Sequence, residues 1–593
     1  MSEAVSNATT AASRSWLEVI DADSPLLLIA PHGGRAEPRT RSILNPKVND
    51  LHTAEITRGL TARLGASALI NVAMDRNRLD CNRLSQIVEH APWMLELLAE
   101  RVSAIVARHG RATVLLIHGW NIIEPRLDFG LGVRHLDGEL RPSGAACVSA
   151  SDDFINGPLA GLAERLHRHG IKPTYGMRYP GGGLQNLLQA FTARHRQSPY
   201  AALRSLSETG MRGVIDAAQL ELSVSVRMPG ELRARCEDAI VEVFSGNGQA
   251  RVSRTAIAIN RAPRPPVAKK EIGAAATVSM PGRVGIEFYD PTARIGAMAS
   301  FDVGGAGMGA RIMMLFDRNR AALFTAEGRP TRAANAVKHG PLSLRRDGNS
   351  LVLAFRGPAV IVPDSCAYLS IERALASGQL DGNTEVELRF EIDRAGGDFD
   401  FDQILSAAGV TQTASSSAAL GRIAGQVSID GSTRTVNGFA RAGISFTGLG
   451  PQKFIARRMI WACFEHEHAP HALEARAVET GDASANRSAR ILGAGGWSPC
   501  ELRELEIEAA AVEEPPHRIF ASLTRADGSP YELEGAVECF IPLSRPGPEH
   551  SRIYTSLGFA RFRAGAHRGA GMFEYSRAAD SVLTATESDD DSD

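Results

Sequence analysis

Hydrophobic and polar positions in the first part of the chain alternate between the patterns of strands and of helices. Short continuous apolar runs predict buried strands at 26–30, 68–73, 113–117 and 219–226. Apolar positions at helical spacing predict helices at 51–64, 93–109, 159–169 and 231–244. Because strands alternate with helices, we expect an α/β domain at 25–247 with a mainly parallel sheet covered on both faces.

The pattern changes in the middle of the chain. Residues 248–280 include the Pro-rich, basic stretch Asn260–Lys270, which is typical of a linker. Beyond it, short runs with the strand period are separated by turn signals, and no long helical pattern stands out. We therefore predict two β-rich domains, at 281–450 and at 451–578, each an antiparallel barrel or sandwich.

Composition narrows the class of protein. A chain of 593 residues is too long for one core, and its 44% hydrophobic and 22% charged content is ordinary for a globular protein. The formal net charge of −2 argues against nucleic acid as a partner, and no apolar run approaches the roughly 20 residues that span a membrane. The polar ends, 1–24 and 579–593, are predicted to be disordered tails, the second of them acidic.

Two of the predicted strands end near a histidine, His32 in one case and His118 in the other. The carboxyl ends of parallel strands meet at one edge of an open α/β sheet, where such sheets usually carry their sites. With Glu37 the two histidines form a set of zinc ligands that leaves a fourth position open for water. A single histidine after a strand is usually structural or capping, so the prediction rests on two of them together with Glu37 and Glu221. We predict one Zn²⁺ per chain.

Four spaced motifs follow one another in this region. They are Pro31-His-Gly-Gly-Arg-Ala-Glu37, Asp80-Cys-Asn-Arg83, Leu116-Ile-His-Gly119 and Gln219-Leu-Glu-Leu222. Together they resemble the N-formylglutamate amidohydrolase family and the related zinc-dependent poly-γ-glutamate hydrolases. The resemblance implies a zinc-carboxypeptidase-like phosphorylase/hydrolase fold, and it places the metal ligands at His32, Glu37 and His118.

The same motifs suggest roles for the neighbouring residues. Zinc would lower the pKa of its water and polarise an amide carbonyl, and Glu221 is the predicted general base. Arg83, beside Asn82, is predicted to bind both oxygens of a substrate carboxylate through its guanidinium group. Arg76 is an alternative anchor for that carboxylate. Tyr179, in a Gly-rich loop, is predicted to lie at the substrate.

Two of these assignments have structural alternatives. Arg83 could pair with Asp75 or Asp80 instead of a substrate, and Tyr179 could simply pack its loop. A separate stretch, Glu465-His-Glu-His468, has the residue types of metal ligands. On a strand its alternate side chains would face solvent, so we interpret it as a solvated edge.

The C-terminal part has its own, looser resemblance. The stretch Gly425-Gln-Val-Ser-Ile-Asp-Gly431 leads to Val436-Asn-Gly438, and Gly571-Met-Phe-Glu-Tyr-Ser576 stands near the end. These residues resemble the hydroxyneurosporene synthase and AttH-like proteins, which pair two lipocalin-like barrels. Where that family continues with Arg-Asp and Trp-Gly, this chain has Phe439-Ala-Arg-Ala-Gly443.

The sequence thus predicts a multidomain zinc hydrolase. Its expected substrate is a small acidic amide, of N-acyl or γ-glutamyl type, cleaved at a C–N bond other than an ordinary peptide bond. The β-domains are expected to bind a hydrophobic ligand or a bulky part of the substrate. The alternative is a lipocalin-like binding or hydratase/cyclase-type module with a helper or inactive hydrolase domain. Seven scattered cysteines without a C-x-x-C pair predict a cytoplasmic location.

Overall fold

The computed structural model describes residues 15–35, 47–136, 139–245, 257–261, 282–302, 308–333, 335–392, 418–446, 454–465, 471–480, 485–493, 496–509, 511–512, 514–546 and 552–578. The chain divides into two compact units, Met1–Glu271 and Ile272–Asp593. Most of the predicted linker and the histidines at 466 and 468 lie outside the described residues.

A seven-stranded mixed sheet forms the centre of the first unit. The strands of this unit are β1 (Leu17–Ile20), β2 (Leu26–Ala30), β3 (Ser67–Asn71), β4 (Ala112–Trp120), β5 (Arg126–Gly130), β6 (Val133–Leu136), β7 (Glu139–Pro142), β8 (Lys172–Tyr175) and β9 (Ile215–Ser223). The order across the sheet is β1-β3-β2-β4-β9-β5-β8, and β6 pairs with β7 in a separate hairpin. The four strands β3, β2, β4 and β9 are parallel, as predicted, whereas β1, β5 and β8 run the other way.

Helices cover both faces of this sheet, as expected for strands that are buried on both sides. They are α1 (Thr53–Leu64), α2 (Leu84–His90), α3 (Pro92–His109), α4 (Ala160–Arg168), α5 (Ala201–Met211), α6 (Val224–Arg227) and α7 (Glu231–Phe244). Helices α1, α4 and α7 contribute to the core on one face, and α2, α3 and α5 contribute to the core on the other. Strand β4 contributes side chains to both cores, Leu115 to the first and Leu116 to the second.

The predicted helices and strands of this unit are confirmed to within a few residues, with two corrections. Residues 224–226, predicted as the end of a strand, form the short helix α6. Leu17–Ile20, predicted to lie in a disordered tail, form β1, which pairs with β3 and helps to bury Trp16. A four-residue edge strand is too short to show a period of its own.

The second unit contains two antiparallel β-barrels, in agreement with the prediction of two β-rich halves. The strands of the first are β10 (Gly282–Asp290), β11 (Ile295–Asp302), β12 (Met308–Phe316), β13 (Arg320–Glu327), β14 (Thr331–Ala333), β15 (Ala336–His339), β16 (Leu342–Asp347), β17 (Ser350–Val362), β18 (Gln379–Ile392), β19 (Ala418–Ile429) and β20 (Ser432–Phe446). Eight of them, in the order β13-β12-β11-β10-β20-β19-β18-β17, close through the pairing of β13 with β17. Strands β16, β15 and β14 extend the sheet beyond β17, and the helix α8 (Ile371–Ser377) precedes β18.

The second barrel closes in simple chain order. Its eight strands are β21 (Phe454–Phe464), β22 (His471–Thr480), β23 (Ala485–Gly493), β24 (Gly496–Glu508), β25 (Arg518–Thr524), β26 (Pro530–Pro546), β27 (Arg552–Ala564) and β28 (His567–Ala578). Alternate residues of these strands, such as Ile460, Ala462 and Phe573, form one hydrophobic core. Two eight-stranded barrels of this kind are consistent with a lipocalin-like architecture.

Charged and aromatic side chains join the two barrels. Trp461 Nε1 donates to Glu287 Oε2 at 2.9 Å, and Arg441 Nε donates to Glu474 Oε1 at 2.6 Å, in both cases from one barrel to the other. The second oxygen of Glu474 accepts from Arg490 Nε at 2.7 Å. Burial opposes the ionisation of Glu474, but these two guanidinium groups hold its pKa below the usual range.

The described part of the chain has no helix that is both long enough and apolar enough to cross a membrane. None of the seven cysteines, all of which lie within the described residues, forms a disulfide.

Candidate metal centre

Three buried side chains meet at the carboxyl end of the parallel strands. His32 follows β2, Asp50 precedes α1, and His118 lies in β4. The Asp50 Oδ2 atom is 3.2 Å from His32 Nδ1 and 3.3 Å from His118 Nδ1, and the centres of the two imidazole rings are 4.8 Å apart. None of the three is more than 2% exposed. Because one ligand atom from each lies within 4.8 Å of the others, this cluster could hold a metal ion.

The Asp50 carboxylate is held in place from two further directions. Gly119 N donates to Oδ2 at 2.9 Å, and Arg76 Nη1 donates to Oδ1 at 3.3 Å. Burial opposes the ionisation of Asp50, but His32, His118 and Arg76 together hold its pKa well below the usual range. Asp50 is therefore available as an anionic ligand at neutral pH.

A second carboxylate orients His32 from behind. Asp80 Oδ1 lies 2.8 Å from His32 Nε2, and Asp80 Oδ2 accepts from Lys47 Nζ at 2.7 Å. Burial opposes the ionisation of Asp80, but these two partners keep its pKa far below the usual range. Nε2 has the shorter of the two contacts that His32 makes with a carboxylate, so we place a hydrogen on that nitrogen. Carboxylates commonly orient metal-binding histidines in this way.

The remaining polar atoms of the cluster fit a cation. His32 Nδ1 lies 3.2 Å from Asp50 Oδ2, so a proton or a cation is needed between these two atoms, and a metal ion would take the place of the proton. His118 Nε2 is buried and has no hydrogen-bond partner among the described residues. Two imidazole nitrogens and one carboxylate oxygen are the donor types that zinc prefers.

Glu221 lies on the strand next to His118. It is the register partner of His118 in the parallel pairing of β4 with β9, so the two side chains point to the same face of the sheet. Its Oε1 atom accepts a hydrogen bond from Gln219 Nε2, and Gln219 Oε1 accepts in turn from Asn186 Nδ2 at 3.3 Å. This chain of amides fixes one oxygen of Glu221 and leaves Oε2 for other contacts.

The environment of Glu221 also changes its acidity. The residue is only 3% exposed. Burial, together with the nearby carboxylates of Asp50 and Asp128, raises the pKa of Glu221 to about 7. A group with a pKa near neutrality is well suited to accept and return a proton.

Arg227 is a buried cation that the sequence analysis did not identify. Its Nη1 atom donates to the backbone carbonyls of Trp120 at 3.1 Å and Leu222 at 3.2 Å. Burial lowers its pKa, but the charge of Asp50 opposes this shift. A Cβ atom on Gly119 would clash with Arg227 Nη1 and lie 3.0 Å from the Asp50 Cβ, so only glycine allows this close approach. Helix α6, which carries the arginine, was predicted as strand, and this hid the residue.

Arg83 and Asn82, the predicted substrate residues, lie near the far end of the amide chain. The backbone of Arg83 pairs with Asn186, and its exposed side chain bonds to neither Asp75 nor Asp80. Asn82 Oδ1 is buried and has no hydrogen-bond partner within the described ranges. The role of both residues as substrate anchors stays a prediction.

The other two predicted substrate residues have partners in the site. Arg76 donates to Asp50, which makes it a support of the cluster, and its role as a substrate anchor stays a prediction. Tyr179 is 38% exposed, and its ring lies edge-on to Trp120 with 6.1 Å between the ring centres. Its loop therefore does reach the site.

The sequence analysis found both histidines of the cluster but not its carboxylate. Glu37, the predicted third ligand, lies outside the described residues. Asp50, directly ahead of the predicted helix at 51–64, was given no role in the sequence analysis. The two glycines after His32 are required by close contacts with the neighbouring backbone. A Cβ on Gly34 would clash with Met74 O, and one on Gly33 would lie 2.6 Å from Asn71 O.

The likenesses to known proteins that are described next are weak. No family model and no curated protein matches the chain. An AttH structure from Nitrosomonas europaea is 11% identical, with a TM-score of 0.31 over 50% of this chain and 91% of that one. Kievitone hydratase from Nectria haematococca is 10% identical, with a TM-score of 0.31 over 52% of this chain and 94% of that one. N-formylglutamate amidohydrolase from Ralstonia eutropha is 13% identical, with a TM-score of 0.25 over 39% of this chain and 96% of that one. At these values the likenesses carry no functional inference.

Proposed function

We propose that the first unit is a zinc-dependent hydrolase that cleaves the C–N amide bond of an N-acyl or γ-glutamyl-type carboxylate substrate. The observation that supports this proposal is the buried cluster of His32, Asp50 and His118, with Glu221 on the adjacent strand. In this proposal the three cluster residues hold one Zn²⁺ per chain. Glu37 remains a predicted ligand from a segment outside the described residues.

Each residue of the site has a separate role in the proposed reaction. Zinc at this position would activate water and polarise the amide carbonyl. Glu221 Oε2 would take the proton from the attacking water and deliver it to the leaving nitrogen, since Oε1 is already bonded to Gln219. Arg83 would bind the substrate carboxylate with its exposed guanidinium group.

The metal assignment predicts a loss of zinc in a histidine variant. The purified protein should contain close to one zinc per chain by elemental analysis, and His118→Ala should lose most of it because one of three ligands is gone. His90→Ala is the matched control, since His90 is an exposed histidine at the end of α2 and should not affect zinc content. Circular dichroism should show that both variants are folded. Full zinc content in the His32→Ala, His118→Ala double variant would contradict the site.

The rival proposal places the function in the barrels, as a binding or hydratase/cyclase-type module for a hydrophobic ligand. Large aromatic side chains such as Phe301, Phe324 and Phe355 are fully buried in the first barrel, and the rings of the last two are 5.0 Å apart. Such side chains can fill the interior of an eight-stranded barrel or line one small ligand site. An amidase assay on N-acyl glutamates, with and without zinc, separates the two proposals.

A further inference from the structure

Trp120, Arg126, Met177 and Tyr179 form a group beside the metal cluster, which we call the aromatic subsite. We infer that this subsite binds the acyl side of the substrate, an inference that rests on the proposed function. We further infer that the acyl group has an apolar or aromatic body and an uncharged oxygen acceptor.

The strand register places the subsite directly beside the reacting groups. Trp120 follows His118 by two residues on β4, so both side chains lie on the same face of the sheet. Arg126 precedes Asp128 by two residues on β5, and Asp128 is the register partner of Glu221. His118, Glu221 and Asp128 thus form one row across three strands. Trp120 and Arg126 lie in the next row.

The two buried members of the subsite each have an unused hydrogen-bond donor. Trp120 and Arg126 are both 1% exposed, and the Arg126 Cζ atom lies 5.3 Å from the centre of the Trp120 ring. Within the described residues, neither Trp120 Nε1 nor Arg126 Nε has a hydrogen-bond partner. Buried donors are almost always paired in folded proteins, so these two donors call for an acceptor that the described residues do not supply, and we assign it to the substrate.

The charges around Arg126 favour a neutral acceptor. The Nη2 atom of Arg126 is already bonded to the carboxylate of Glu124, and Asp128 lies on the same strand face. The positive charge is therefore matched within the protein, and a second buried carboxylate from the substrate would leave negative charge in excess. A carbonyl oxygen can accept the two N–H groups without this cost.

The rim of the subsite is apolar and open. Asp128 accepts hydrogen bonds from the backbone N–H groups of Met177 at 3.1 Å and Tyr179 at 3.2 Å, which fixes their loop beside the sheet. Met177 is 39% exposed and Tyr179 is 38% exposed, although both are large apolar side chains. A one-carbon formyl group would leave this surface wet, whereas an aromatic acyl group would cover it.

Three ligands test the inference by calorimetry on the zinc-loaded full-length Glu221→Gln protein, which should not turn them over. They are N-formylglutamate, N-(4-phenylbutanoyl)glutamate and N-(4-oxo-4-phenylbutanoyl)glutamate. The two aromatic ligands should bind at least about tenfold more tightly than the formyl compound, because the ring buries apolar surface. The ketone should bind about fivefold more tightly than its matched analogue, because only the ketone offers an acceptor to the unused donors. Equal affinity for all three ligands would overturn the inference.

Two variants locate the effect. Trp120→Phe keeps an aromatic ring but removes Nε1, so the preference for the ketone should fall toward one. Trp93→Phe, at the start of α3 and in contact with Trp16, is the control and should keep that preference. Tyr179→Ala changes an exposed side chain and should reduce the preference for aromatic over formyl ligands. Unchanged preferences in both Trp120→Phe and Tyr179→Ala would contradict the subsite.

The outcomes for the subsite and for the hydrolase are distinct. If wild-type protein hydrolyses none of the three ligands but calorimetry shows the predicted preferences, the proposed reaction fails and the subsite stands. If wild-type protein hydrolyses them without preference and the variant binds them equally, the reaction stands and the subsite inference fails.

Discussion

Replacing Glu221 by glutamine is expected to lower turnover by about 10²–10⁴-fold, the range that a positioned general base contributes. Glutamine cannot accept the proton from water, although its amide oxygen can still accept the hydrogen bond from Gln219. The zinc content should not change, because Glu221 is not one of the proposed ligands. Turnover, zinc content and melting temperature should be measured on the same preparation.

A purely structural role for Glu221 gives a different result. In that case Glu221→Gln would lower the melting temperature without a specific loss of rate per folded molecule. Glu242→Gln is a suitable control, because Glu242 is an exposed residue on α7 that pairs with Arg165. If Glu221→Gln keeps most of its activity while the control behaves like wild type, the general base must be sought elsewhere.

Replacing Arg441 by methionine is expected to lower the free energy of unfolding of the second unit by about 3–5 kcal/mol, as is typical when one partner of a buried ion pair is removed. The variant leaves the carboxylates of Glu474 and Glu287 between the barrels without their shared cation. Burial raises the pKa of Glu287 even with Arg441 in place, so the loss of that cation should be costly there. Denaturant titration followed by tryptophan fluorescence measures the change, since Trp461 belongs to the same network.

The control for this prediction is a superficially similar arginine. Arg389 pairs with Asp347, but its side chain is 49% exposed, so Arg389→Met should cost no more than about 1 kcal/mol. Equal stability of Arg441→Met and Arg389→Met would show that water reaches the network between the barrels. The double variant Arg441→Met, Glu287→Gln should recover part of the loss, because it removes the carboxylate that loses its cation when Arg441 is replaced.

The four parallel strands of the first unit, β2, β3, β4 and β9, could be predicted from the sequence because continuous apolar runs mark them clearly. The same runs pointed to His32 and His118, since each histidine closely follows such a run. Asp50 could not be predicted in the same way. It lies in a loop before α1, and its approach to the histidines depends on how α1 packs on the sheet, which no local pattern reveals.

The supporting residues were harder still to identify. Asp80 lies in a recognised motif, but its contact with His32 joins positions that are 48 residues apart. Arg227 was hidden because the strand pattern of β9 continues into α6, where Val224 and Val226 remain buried. In the second unit the alternating pattern predicted strands. That pattern does not show which strands close a barrel, because closure depends on long-range pairings such as that of β13 with β17.

The lengths of the outermost strands have a consequence for association between copies of the chain. The mixed sheet ends at β1 and β8, with four residues each, and the extension of the first barrel ends at β14, with three. Strand β8 also contains Pro173, which has no N–H group to offer, and β14 is exposed along its whole length. Short edges of this kind present too few backbone groups to template the addition of a strand from another molecule. These three described edges are thereby protected against edge-to-edge association.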